Sequence, residues 1–242
     1  MPAEVRVFAD ADELGEALAD EILARYEGVA PRSFLLGCPG GRSLRSTYRA
    51  LAERRPDVVR LVVVMMDEYV ENGGPPPTDA HYSCHRFARE ELIGPLGLGA
   101  EQVWYPDPED PASYDERIVA AGGIDMFLLA SGASDGHVAF LPPGSPRDGR
   151  TSVVEIVDTT RRDNLATFPE FASIDDVPTH GVSVGLGTMA DSRAVRLVIQ
   201  GSHKREAARR VLARDRFDPW WPASIVHDCS DGEIWLDRAA AP

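Results

Sequence analysis

Four short apolar runs constrain the fold most: Ser33-Phe34-Leu35-Leu36-Gly37, Val58–Met66, Ile124–Ala130 and Ala194–Gln200. Each has the length of one strand, and each gives way to a polar, acidic or glycine-rich stretch. Strands apolar along their whole length are buried on both faces, as in a parallel sheet flanked by helices. Between them lie segments of helical spacing. Leu14, Leu18, Ile22, Leu23 and Tyr26 follow the acids of Asp10–Glu13 and stop at Gly28. A second helix runs through Tyr48, Leu51 and Glu53, and a third starts in His81–Phe87 with Thr78 or Asp79 as its cap. Others cover Pro111–Ala121 and the stretch ending at Val211-Leu212, while Gln102–Pro106, Thr151–Val157, Gly181–Val184 and Glu233–Leu236 read as further strands. The expected architecture is α/β: a single three-layer domain over residues 1–242, with a mostly parallel sheet and helices on both faces. Residues 158–180 are polar and irregular apart from a short helix around Arg161–Phe168, so 144–180 is expected to form a lid or cleft rim.

Charge narrows the partners. With 39 acids against 25 bases the net charge is -14, a surface that repels nucleic acid and anionic membranes. An anionic ligand would therefore need a local pocket of cations or N–H groups. No apolar run approaches the length of a membrane span, and Met1–Arg6 lacks the basic and apolar regions of a signal peptide. Cys38, Cys84 and Cys229 are widely separated and match no metal or disulfide spacing. The expectation is a cytoplasmic protein without metal or other cofactor.

The strand ends carry the chemistry. In open α/β sheets ligands collect at the carboxyl ends of the strands. After the 124–130 run come Asp135, Gly136 and His137, an acid and an imidazole able to share proton transfer near neutral pH. Taken alone, the pair is better explained as a capped turn beside a surface histidine. After Ser33–Gly37 come Gly40, Gly41, Arg42 and Ser43 and then a helix, the arrangement that cradles phosphate on backbone N–H groups. It is not a Walker A loop, because no Gly-Lys-Ser/Thr follows. The Val58–Met66 run ends on Asp67-Glu68-Tyr69, two acids that a core would not accept unpaired and that a cleft or a helix cap would. Lys204 falls near a helix start, where the dipole opposes a cation, which points to an anion site. His81 and His85 stand four apart, but no third ligand lies at a matching offset.

Taken together these segments resemble the glucosamine-6-phosphate deaminase (isomerase) family and its relatives, the 6-phosphogluconolactonases. The resemblance rests on six stretches in order: Leu36–Ser43 with Thr47-Tyr48, Met66–Val70 with His81-Tyr82-Ser83, Asp135–Phe140, Asp158–Asn164, Val184–Thr188 and Gly201–Lys204. It implies the fold of that family and a metal-free aldose–ketose isomerisation joined to loss of ammonia at C2. By the same resemblance Asp67 is the base that moves a proton between C1 and C2. Asp135 and His137 serve ring opening, and Gly40–Ser43 with Lys204 hold the phosphate of a phosphorylated sugar. A homo-oligomer is compatible with the family.

The chain also departs from the pattern. Pro142 stands where the deaminases have the glutamate that supports the ring-opening histidine, and Ala166 where they have a phosphate-binding arginine. His137 is thus expected to lose a partner and the phosphate a contact, with Arg147, Arg150 or Arg162 as substitutes. The lactonases also lack that glutamate but carry Asp-Glu-Arg where this chain has Asp67-Glu68-Tyr69. Three readings follow: an isomerase or deaminase of an amino-sugar 6-phosphate, a phosphosugar lactonase in which His137 activates water, and a sugar-phosphate-binding homologue without catalysis.

Overall fold

A computed structural model describes residues 2–242. Along the chain run β1 (Glu4–Phe8), α1 (Ala11–Gly28), β2 (Phe34–Cys38), α2 (Arg45–Glu53), β3 (Leu61–Met65) and β4 (Asp67–Val70). Then come α3 (Cys84–Ala88), α4 (Gly94–Leu96), β5 (Val103–Trp104), α5 (Pro111–Ala120), β6 (Met126–Ala130) and β7 (Ser152–Glu155). The chain closes with α6 (Asp158–Thr167), β8 (His180–Ser183), α7 (Leu186–Ala190), β9 (Val195–Ile199), α8 (Arg205–Leu212) and β10 (Gly232–Asp237).

Seven strands pair in the order β1-β10-β9-β6-β2-β3-β5, and every pairing is parallel. The four apolar runs form its centre, and their alternate side chains pack opposite faces. On β2, Phe34, Leu36 and Cys38 join the layer of α1 and α2, while Leu35 joins the layer of α5 and α8. On β6, Met126 and Leu128 face the first layer and Phe127 and Leu129 the second. From β2 the chain winds outward through β3 and β5. It then crosses back to β6 and winds the other way through β9 and β10. The reversal between β2 and β6 opens a crevice at their carboxyl ends.

A second sheet, absent from the sequence-based expectation, has three antiparallel strands in the order β4-β8-β7. Its first strand starts at Asp67, separated from the end of β3 by a single residue. Tyr69, Tyr82, Phe140, Ile156, Phe171 and Val177 form a separate apolar cluster against it. The third helix is also corrected. It begins at Cys84 with Ser83 as its cap, not at Thr78 or Asp79, because Ser83 Oγ accepts the His85 N–H at 3.1 Å. The short helix expected around Arg161–Phe168 is present as α6 and starts earlier, spanning Asp158–Thr167. Of the tryptophan pair, Trp221 is buried and Trp220 exposed. Among the described residues no helix is long and apolar enough to cross a membrane.

Candidate active site

Four neighbouring strands, β9, β6, β2 and β3, deliver their carboxyl ends to one cleft of about 500 Å³. Gly40, Gly41, Arg42, Ser43, Asp67, His137 and Lys204 all line it. Asp135 stands behind His137, 9% exposed. The sequence-expected site residues therefore meet at one place, seven on the wall and one supporting it.

Two of the strand ends use the same device. After β2, Gly41 takes φ 85° and Arg42–Leu44 make a 3-10 turn into α2. After β9, Gly201 takes φ 85° and Ser202–Lys204 make a 3-10 turn into α8. Positive φ is why both positions are glycine. The first-turn N–H groups of a helix lack intrahelical acceptors, so both turns can present donors to an anion. The turns are joined by Lys204, whose Nζ donates to Ser43 Oγ at 3.0 Å and to the Ser131 carbonyl at 2.7 Å. Burial, opposed by Asp163 and aided by Arg42, lowers the Lys204 ammonium to about 8. An incoming anion would keep the ammonium charged to higher pH.

The loop after β6 builds the acid–imidazole pair. Asp135 Oδ1 lies 2.7 Å from His137 Nδ1 and accepts the His137 backbone N–H at 3.1 Å, while Thr159 Oγ1 donates to Oδ2. Burial pushes the Asp135 carboxyl up, but His137 and Thr159 outweigh it and hold the group well below the usual carboxylate range. An ionised carboxylate can only accept, so Nδ1 carries a proton, and in the neutral ring the lone pair is on Nε2. Thr160 Oγ1 adds a second contact to Nδ1 at 3.1 Å. These groups orient the imidazole without any residue at the Pro142 position, which lies outside the cleft. Gly132 allows the arrangement, since a Cβ there would run into the His137 ring.

Just beyond the end of β3 Asp67 lines the cleft, buried at 7% exposed, and takes a hydrogen bond from Cys84 Sγ at 3.4 Å. Burial raises its carboxyl to about 7; the thiol contact lowers it and the neighbouring Glu68 raises it. Glu68 turns away from the cleft. It is fully buried and accepts Ser83 Oγ, the Cys84 and His85 N–H groups, and the His85 ring at 2.8 Å. Of the two acids at this strand end, Asp67 faces the cleft and Glu68 caps a helix.

Sequence reading missed part of the wall. Asp163, Asn164, Thr167 and Phe168 line the cleft, and Thr160 lies behind it. Thr160, Asp163, Asn164 and Thr167 repeat at helical spacing, a polar stripe that was the available signal for α6. Of the three arginines considered as substitutes, Arg162 lines the cleft, whereas Arg147 pairs with Asp228 and Arg150 with Asp191 elsewhere. His81 packs against Phe171 at 4.6 Å between ring centroids and His85 stacks on Tyr105 at 3.6 Å, so the two face different surroundings.

A family model described as glucosamine-6-phosphate isomerases/6-phosphogluconolactonase matches residues 9–235. The chain belongs to this family.

Its relatives match at nearly full length. A glucosamine-6-phosphate deaminase of Rhodococcus jostii is 34% identical over 98% of this chain and 91% of its own. A glucosamine-6-phosphate isomerase of Candida albicans is 31% identical over 97% and 96%. Among solved structures, a monomeric glucosamine-6-phosphate deaminase matches with a TM-score of 0.86 and 26% identity, covering 98% of each chain. The 6-phosphogluconolactonase of Thermotoga maritima matches with a TM-score of 0.74 at 21% identity over 97% of this chain and 99% of its own, a likeness of fold.

Proposed function

We propose that this family member converts an amino-sugar 6-phosphate to a ketose 6-phosphate with release of ammonia. The observation that carries the reading is a base raised to about 7, Asp67, sharing one cleft with His137 and with the Gly41–Lys204 anion cradle. A carboxylate that titrates near the working pH suits proton abstraction next to a carbonyl.

The steps follow from the groups present. The phosphate sits on the turns after β2 and β9 with Ser43, Arg42 and Lys204. His137 Nε2, its tautomer set by Asp135, takes the C1 hydroxyl proton and returns it to the ring oxygen as the C1–O bond breaks. Asp67 then removes the C2 proton, and the C–H electrons form a C1=C2 double bond. The carbonyl electrons draw a proton onto the C1 oxygen from water, to which the nitrogen gives one back as the C2=N bond forms in the next step. Return of the proton to C1 leaves an imine at C2. Water adds there, the C2–N bond breaks and ammonia departs. C1 is reduced and C2 oxidised within one molecule, so the balance needs only water.

Pro142, in place of the deaminases' glutamate, favours one second reading: hydrolysis of a phosphosugar lactone, with His137 drawing a proton from the attacking water. A single panel separates the two. Purified protein is given glucosamine 6-phosphate, galactosamine 6-phosphate and 6-phosphogluconolactone, and ammonia and lactone are followed. Ammonia release that Asp67→Asn lowers by at least roughly 1,000-fold is expected. Lactone loss that needs His137 but tolerates Asp67→Asn would replace the reading with the second, and binding without turnover would refute both.

A further inference from the structure

Among the described residues Asp67 receives one side-chain hydrogen bond, and the donor is Cys84, with Sγ 3.4 Å from Oδ1. The thiol is held in place by the acid next to Asp67. Glu68 accepts the Cys84 backbone N–H at 3.1 Å and Ser83 Oγ at 3.0 Å, and Ser83 in turn caps α3. One strand end thus supplies the carboxylate that faces the cleft and, one residue on, the anchor for that carboxylate's donor. Cys84 lines the cleft yet is only 5% exposed. Burial and the charges of Glu68 and Asp67 push its thiol well above the ordinary range, so it stays S–H wherever Asp67 titrates. A thiol of that kind is a donor rather than a nucleophile.

We propose that Cys84 is a positioning residue for Asp67: its S–H holds Oδ1 and leaves Oδ2 to take the substrate proton. The proposal rests on the reading of Asp67 as the base. Other titratable groups around Asp67 are Glu68 and Tyr69 on its own strand and Tyr48 from α2, with His85 behind Glu68. None of them donates to the carboxylate. A hydrogen bond to the charged form favours ionisation, so its loss must move Asp67 upward.

The test compares wild type, Cys84→Ala and Cys84→Ser, with thermal unfolding to confirm that all three fold. In the pH profile of kcat/KM for ammonia release, the acidic limb of Cys84→Ala is expected to move up by about half a pH unit or more. Cys84→Ser, which restores a donor, should return the limb to the wild-type position or below it. The Asp67 titration is also read directly in the free proteins from 13C-carboxylate resonances, assigned by their absence in Asp67→Asn. If wild type turns over no amino-sugar phosphate, the proposed function fails and this titration alone decides the role of Cys84. An upward shift in Cys84→Ala, reversed in Cys84→Ser, upholds the proposal. Coincident titrations in folded proteins, or a serine variant that behaves like alanine, overturn it.

Discussion

The burial that brings Asp67 to about 7 also sets it against the stability of the fold. Its folded value lies above the ordinary 3.8, so the folded state binds the proton more tightly than the unfolded chain does. The associated stability is fully present below 3.8 and is lost as pH rises through about 7. Asp67→Asn, which cannot ionise, should therefore unfold at a higher temperature than wild type at pH 8. The gain should shrink toward pH 4, spanning about 1–4 kcal/mol across that window. Parallel melts at several pH values check this, and an advantage that does not vary with pH would contradict it. At this scale residue type was informative and environment was not. Asp67-Glu68 read as two acids at a strand end, but only packing decides that one faces a cleft while the other is sealed under four donors from Ser83, Cys84 and His85. Likewise His137 was expected to lose a supporting partner, and Asp135 with Thr160 holds its Nδ1.

The elements that end at the cleft are short, and their turns carry the tolerances. Gly132 follows β6 where the loop doubles back, with its N–H bonded to the His137 carbonyl at 2.8 Å. A methyl group at this position would displace the imidazole rather than the core. Gly132→Ala is expected to fold with a near-wild-type melting temperature while kcat falls roughly 100-fold, since a small misplacement of a reacting group has that effect. Steady-state kinetics beside a thermal melt distinguish this from general destabilisation. The start of α3 shows why some boundaries escape sequence reading. Ser83 is an ordinary cap residue, yet so are Thr78 and Asp79. The choice is made by Glu68, distant in sequence, whose carboxylate collects the Ser83, Cys84 and His85 donors. The β4-β8-β7 sheet escaped for the same reason: its strands are only four residues each and pair across long separations.

Across the whole molecule a net charge of -14 works against an anionic ligand, so affinity must come from the pocket wall. Arg42, Arg162, His203 and Lys204 line it, and burial lowers both His203 and Lys204. Sulfate, whose own charge is constant over this range, should bind up to about tenfold more weakly at pH 9 than at pH 7 as Lys204 passes through about 8. Lys204→Ala should bind weakly at both values, and calorimetric titrations that show no difference between the two proteins would remove Lys204 from the anion site. The central strands, their parallel pairing and the positions of Asp67, Asp135, His137 and Lys204 were legible in the chain itself, whereas β1 and β4 were not. Burial on both faces dictates uniformly apolar strands, and the ends of such strands are where polar residues survive. Tertiary structure alone decided that the strand order reverses between β2 and β6, bringing the turns at residues 40–43, 131–137 and 201–204 to one cleft. It also decided which polar groups lose water there. Proton affinity follows that loss and the neighbours gained in exchange, and both depend on residues far apart in sequence.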